Sequence, residues 1–228
     1  PRSEMPTFTT GFSKESRALG IRVAPGRNTT AVAAAFAPDR DRVLFSRTTL
    51  GERNTTARVL AHEFVHTHQY ATGAFDRIED GVRGDGDPLV DLTTDQRQVY
   101  LAVVEGSASW IESRYWERYV ADGQSPTVRD RRTFRNATIG RRVALARYVY
   151  GERYVEAQFD DPENVEQLYA NPPQTTEELL HGLEPGSEPP ANLSVREREP
   201  DQWLPRGSDR KGELFTRLAL STELNRSA

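Results

Sequence analysis

The stretch His62-Glu63-Phe64-Val65-His66 constrains this chain more than any other. Two histidines four residues apart, set among Val59, Leu60, Ala61, Phe64 and Val65, call for a helix. At ~3.6 residues per turn, positions i and i+4 stand about 40° apart on one face, so both imidazoles can reach one metal ion. Glu63 is turned off that line and can reach a metal-activated water without ligating. Asn54 reads as the N-cap of this helix, with Thr55 and Thr56 in its first turn, and Gly73 as its end. Three of the chain's four histidines fall within seven residues, which incidental core or surface histidines do not explain.

A catalytic zinc site needs a third protein ligand. The continuation that would supply a third histidine fails, because Gln69 and Thr72 stand where glycine and histidine are required. His68 lies about 160° round the helix from His66, so it reads as a packing or supporting residue. A long helical pattern runs from Thr93 to Asp122 through Val99, Ala102, Val103, Gly106 and Trp110. Within it, Glu105 follows two valines, a poor setting for an unpaired carboxylate, and Gly106 and Ala108 allow another helix to approach. Glu105 is the expected third ligand. Glu112 is its competitor on the same helix, but beside Arg114 and Glu117 it reads as more solvated.

These residues resemble the gluzincin-type zinc metallopeptidases. The likeness rests on Leu60 through Gln69, on Val104-Glu105-Gly106, and on a later element, Pro172-Pro173-Gln174-Thr175-Thr176-Glu177-Glu178-Leu179-Leu180-His181. The combination is similar to a haloarchaeal surface-protein family, and it covers roughly residues 42–184. It implies a zincin fold, zinc held by His62, His66 and Glu105, and Glu63 as general base. Ser109 stands four residues after Glu105, where thermolysin-like enzymes carry aspartate, so support for a zinc histidine must be weaker or come from elsewhere. His181 is the expected second donor to the reacting oxygen. It is the one histidine left over, and it ends a segment stiffened by Pro172-Pro173 and capped by Thr175 or Thr176. Tyr169 is its substitute.

The rest of the chain gives the setting. Short strands are expected over 20–24, 30–37 and 42–46, with a turn at 38–41. An acidic, glycine-rich loop is expected over 74–91. One or two helices follow over 131–159, with short ones over 162–169 and up to His181 and a last one over 213–224. The expected fold class is α+β: a zincin-like domain over 1–183 with a small N-terminal sheet and a mostly helical remainder. A proline-rich arm over 184–210 and a C-terminal helix over 211–228, packing on the domain, complete it. Asp85-Gly86-Asp87 with Asp91 lacks the spacing of a calcium loop and reads as solvated acid. The arginines from 129 to 142 read as a solvated face, and Trp110, Trp116 and the tyrosines at 115, 119, 148, 150 and 154 as core and helix contacts.

Composition excludes several classes. There is no cysteine, hence no disulfide scaffold, Cys-ligated zinc or thiol nucleophile. A net charge of -4 with interspersed signs argues against nucleic acid as partner. No apolar run is long enough for a membrane span. Of seven asparagines, five (Asn28, Asn54, Asn136, Asn192 and Asn225) begin N-x-[ST] sequons, where chance gives about one. That excess points to an extracellular or cell-surface glycoprotein. The expected function is zinc-dependent hydrolysis of peptide bonds in a peptide or protein substrate. The rival is a cell-surface binding or adhesion protein that keeps the zincin fold with little turnover. Glu63 separates them, since a structural site has no use for it.

Overall fold

A computed structural model describes residues 33–37, 42–47, 49–86, 90–191 and 209–223. The strand expected over 20–24, the turn at 38–41 and the sequons at Asn28, Asn192 and Asn225 lie outside the described residues. Among the described residues the architecture is α+β and mostly helical, with one small antiparallel sheet near the N-terminus. Strand β1 (Ala34–Ala37) pairs with β2 (Arg42–Phe45), Ala35 opposite Leu44 and Phe36 opposite Val43.

A 3-10 turn leads into α1 (Arg53–Ala71), which carries the histidines. Asn54 is not its cap. Glu52 holds that place with no side-chain bond to the free N–H groups of the first turn, and Thr56 turns its hydroxyl back to the carbonyls of Thr49 and Glu52. The expected acidic loop is in large part a helix, α2 (Ala74–Arg83). Ala74, Ile78 and Val82 recur every four residues and are fully buried, while the acids between them face outward. Gly81 sits inside this helix because a Cβ there would meet the ring of Pro172 at 2.6 Å.

Helix α3 (Thr94–Tyr119) opens on a reciprocal Thr93–Gln96 capping box and runs through the centre of the molecule. Helices α4 (Pro126–Asn136) and α5 (Ile139–Gln158) come next, the break falling at Ala137 and Thr138. The short α6 (Val165–Ala170) and α7 (Thr176–His181) and the last helix α8 (Gly212–Glu223) complete the fold. The main core gathers Ile78, Val103, Trp110, Tyr154, Leu168 and Tyr169. A smaller one joins Phe134, Ala146, Leu180, Leu214 and Leu218.

Two packing features fix where α3 and its side chains stand. Helices α3 and α5 cross with their backbones in contact at Gly106 and Gly151. A Cβ on Gly106 would lie 2.3 Å from the Gly151 carbonyl carbon, and one on Gly151 would lie 2.1 Å from the Ala102 oxygen. The first turn of α3 is tied to the far end of the chain. Buried Asp95 accepts from the Thr176 N–H and hydroxyl and pairs with Arg210 at 2.9 Å, and its own N–H donates to the Arg210 carbonyl.

Candidate metal centre

Helix α1 places His62 and His66 one above the other, facing α3. Their Nε2 atoms are 3.2 Å apart, and Glu105 Oε2 lies 3.4 Å from one and 3.5 Å from the other. Three ligand atoms on a tetrahedral zinc, with bonds of ~2.0–2.1 Å, would stand about 3.3–3.4 Å apart, so this triangle has the right size. Two imidazoles and one carboxylate also suit zinc better than calcium or magnesium, which favour all-oxygen sites. Among the described residues these three form the one group of histidine and acidic side chains close enough to share an ion. Asp85 and Asp91 belong to no such group, and Asp87 lies outside the described residues.

The electrostatics of the cluster call for positive charge at its centre. Burial opposes ionisation of Glu105, but hydrogen bonds from His62 and His66 outweigh it and hold the carboxyl well below its ordinary range. Burial likewise opposes a charge on His66, yet Glu105 and Gln69 raise its pKa to about 9. A proton on His66 thus competes for the place where a cation would bring its charge.

Glu63 lies beside the three, 6% exposed. Burial pushes its carboxyl above the ordinary value; His62, His66 and a backbone hydrogen bond from Phe36 on β1 pull the other way. Thus the sheet touches the centre through one peptide group.

Both histidines are held from behind. His62 Nδ1 lies 3.0 Å from Glu112 Oε2, and Glu112 also binds Arg58. Glu112 is therefore buried rather than solvated, and it stands behind His62 rather than in the converging group. Burial and the nearby Arg129 lower the Arg58 pKa to about 10. His66 Nδ1 lies 2.8 Å from Gln69 Oε1. Glu112, one turn beyond Ser109 on α3, and Gln69, one turn beyond His66 on α1, thus face the Nδ1 atoms of the two histidines.

Tyr148, which reads from sequence as a core aromatic, lies at the centre. Its ring centroid is 6.3 Å from that of His62. Burial, with Glu105 and Glu63 nearby, pushes its hydroxyl well above the ordinary value, against a smaller pull from Arg147. The Gly106–Gly151 crossing puts it there, since Tyr148 precedes Gly151 by about one turn of α5 and Glu105 adjoins Gly106.

The structure does not bring His181 to these groups. Its Nε2 sits 3.1 Å from the Glu213 carboxylate on α8, with Arg217 alongside, and the side chain is about half exposed. Tyr169 is fully buried and shares a network with Gln69 and Ser107. His68 is a surface residue, paired with Glu166 at 2.6 Å. The apolar groove of about 530 Å³ on α1, lined by Phe64, Val65, Ile111 and Tyr115, includes none of the three converging residues. Comparison with protein-family models, with curated proteins and with solved structures finds no match.

Proposed function

We propose that this chain is a zinc-dependent hydrolase of peptide bonds, with a zincin-like domain. His62, His66 and Glu105 would hold the zinc, and Glu63 would be the general base. The observation that carries the reading is the 3.2–3.5 Å triangle of converging ligand atoms with a buried, non-ligating carboxylate beside it. Zinc, when bound, supplies Lewis acidity and lowers the pKa of a water towards ~7. Glu63 accepts the proton of the attacking water and returns it to the leaving amine. Tyr148 donates its phenol hydrogen to the carbonyl oxygen as negative charge develops there. Glu112 and Gln69 keep the two imidazoles aimed.

An extracellular or cell-surface location fits this reading. Asn54 and Asn136 are both exposed and available to glycan. Intact-mass measurement on the chain from its native source would show added mass at these residues. Bare asparagines together with cytoplasmic fractionation would refute the location.

Metal analysis of the purified chain, followed by peptide-library turnover for wild type and Glu63→Gln, tests the function. The expected result is one zinc per chain in both and turnover in the wild type alone. Equal turnover would remove Glu63 as the base. Zinc in both with turnover in neither would favour the binding-protein reading.

A further inference from the structure

Helix α1 turns its two histidines towards Glu105 on α3, yet it keeps a second, apolar stripe. Ala61, Phe64, Val65 and His68 recur at helical spacing on another face. With Ile111 and Tyr115 of α3 they line the groove of about 530 Å³. Phe64, midway in sequence between the two histidines, is 58% exposed. The ring of Tyr119 lies 5.1 Å from that of Tyr115 and is 65% exposed, so it carries the aromatic surface on to the end of α3. A single exposed apolar residue is ordinary. Aromatic side chains grouped around one groove mark a surface that another surface covers.

The direction of the groove follows from the contacts between its two long helices. Arg58 and His62 meet Glu112, while Gln69 meets Val104 and Ser107, so α1 and α3 run antiparallel. Tyr115 and, about one turn beyond it, Arg118 therefore lie towards the start of α1, and His68 lies towards its end. The two ends differ in charge. At the His68 end stand Glu163 and Glu166, three residues apart along one helical run and both lining the groove. Glu166 is taken up by His68 and Arg77, whereas Glu163 has no basic partner among the described residues. At the other end Arg118 lies over the Tyr119 ring at 5.3 Å and has no acidic partner among them.

A protruding aromatic, a groove beside it and opposite charges at the groove's two ends make a patch that complements itself when turned by half a revolution. We propose that this face of α1 and α3 is where a second copy of the chain docks about a twofold axis. Phe64 of each copy enters the groove of the other, and Arg118 of each faces Glu163 of the other. A partner of one charge sign would satisfy only one end, whereas an inverted second copy satisfies both. The proposal stands apart from the zinc reading, because neither Phe64, Arg118 nor Glu163 belongs to the converging group.

Sedimentation velocity of the full chain over a range of concentrations is the test. The wild type is expected to pass from monomer to dimer, and added salt should weaken the dimer by screening its exposed ion pairs. Symmetry makes each substitution act twice. Arg118→Glu sets acid against acid at both ends and Glu163→Arg sets base against base, so each alone should raise the dimer Kd by about 10-fold or more. Mixed in equal amounts, the two variants should form a heterodimer of near wild-type affinity, because both facing pairs are then opposite in sign. Phe64→Asp should abolish association. All three residues are exposed, so the variants should fold. A wild type that stays monomeric overturns the proposal, and a photoreactive phenylalanine analogue in place of Phe64 then shows whether a segment of the same chain covers the groove. A dimer indifferent to all three substitutions overturns it as well. Single variants that dissociate and are not rescued by mixing overturn the pairing of Arg118 with Glu163.

Discussion

Replacing Gly106 with alanine separates local from tertiary energetics most sharply. Inside a helix the change should stabilise by about 1 kcal/mol, because alanine loses less backbone entropy. The crossing with α5 reverses the sign. The new Cβ would meet Gly151 carbonyl carbon, Cα and oxygen at 2.3, 2.5 and 2.7 Å. Ordinary contact lies at ~3.5–4.0 Å, so the helices must part by roughly 1 Å or more. All three atoms are backbone, and no side chain can swing aside. Such overpacking typically costs about 1–3 kcal/mol. Here it pries open the helix pair that buries Val103, Trp110 and Tyr154, so the upper end applies and the net loss should be about 2 kcal/mol. For a chain of this size that is a fall in Tm of roughly 4–8 °C. Because Glu105 adjoins Gly106 and Tyr148 lies one turn from Gly151, zinc affinity should fall with it. Thermal unfolding by circular dichroism and a chelator-competition titration measure the two effects. Gly51→Ala is the control, since a Cβ at that residue meets nothing within 4 Å. A Gly106→Ala protein as stable as wild type, with unchanged affinity, would refute the idea that this crossing sets the centre.

Two further outcomes are expected from the geometry. Tyr148→Phe should keep zinc and lower kcat by about 10²–10³-fold, whereas His181→Ala, paired with Glu213 away from the triad, should leave kcat unchanged; the opposite pattern would return the donor role to His181. Burial raises the Glu152 carboxyl despite hydrogen bonds from Ser113 and Thr127, so the folded state holds that proton more tightly than the unfolded one. The associated stability is present below about pH 4.3, the unfolded value, and is lost as pH rises through the folded one. Glu152→Gln, which still accepts both hydroxyl bonds, should therefore be more stable than wild type at pH 7 but not at pH 4, and urea titrations showing the same difference at both would count against it.

The convergence of His62, His66 and Glu105 is legible in the sequence because it obeys a local rule. His62 and His66 are related by helical spacing, and Glu105 stands out as a charge among valines. Glu112 misleads for an equally local reason. Its sequence neighbours Arg114 and Glu117 suggest solvent, while Arg58 and His62, which bury it, come from another helix. Tyr148 has no signal of its own, because its place depends on where Gly106 and Gly151, far apart in sequence, meet. The helix at Ala74–Arg83 is hidden by acids and glycines. Its signal is the recurrence of Ala74, Ile78 and Val82, and the glycine that looks like punctuation is a seat for Pro172.

The tie between Asp95, Thr176 and Arg210 has a consequence for the order in which the molecule can be made. Asp95 precedes its two partners by 81 and 115 positions. While synthesis proceeds from the N-terminus, helix α3 leaves the ribosome with a buried-type acid at its head and neither partner yet translated. The first turn of the helix that carries Glu105 cannot make this tie until Arg210 has been added. Helix α1 and its two histidines emerge well before that tie can close, so the last anchor of the helix that carries Glu105 is set only when most of the chain has been made.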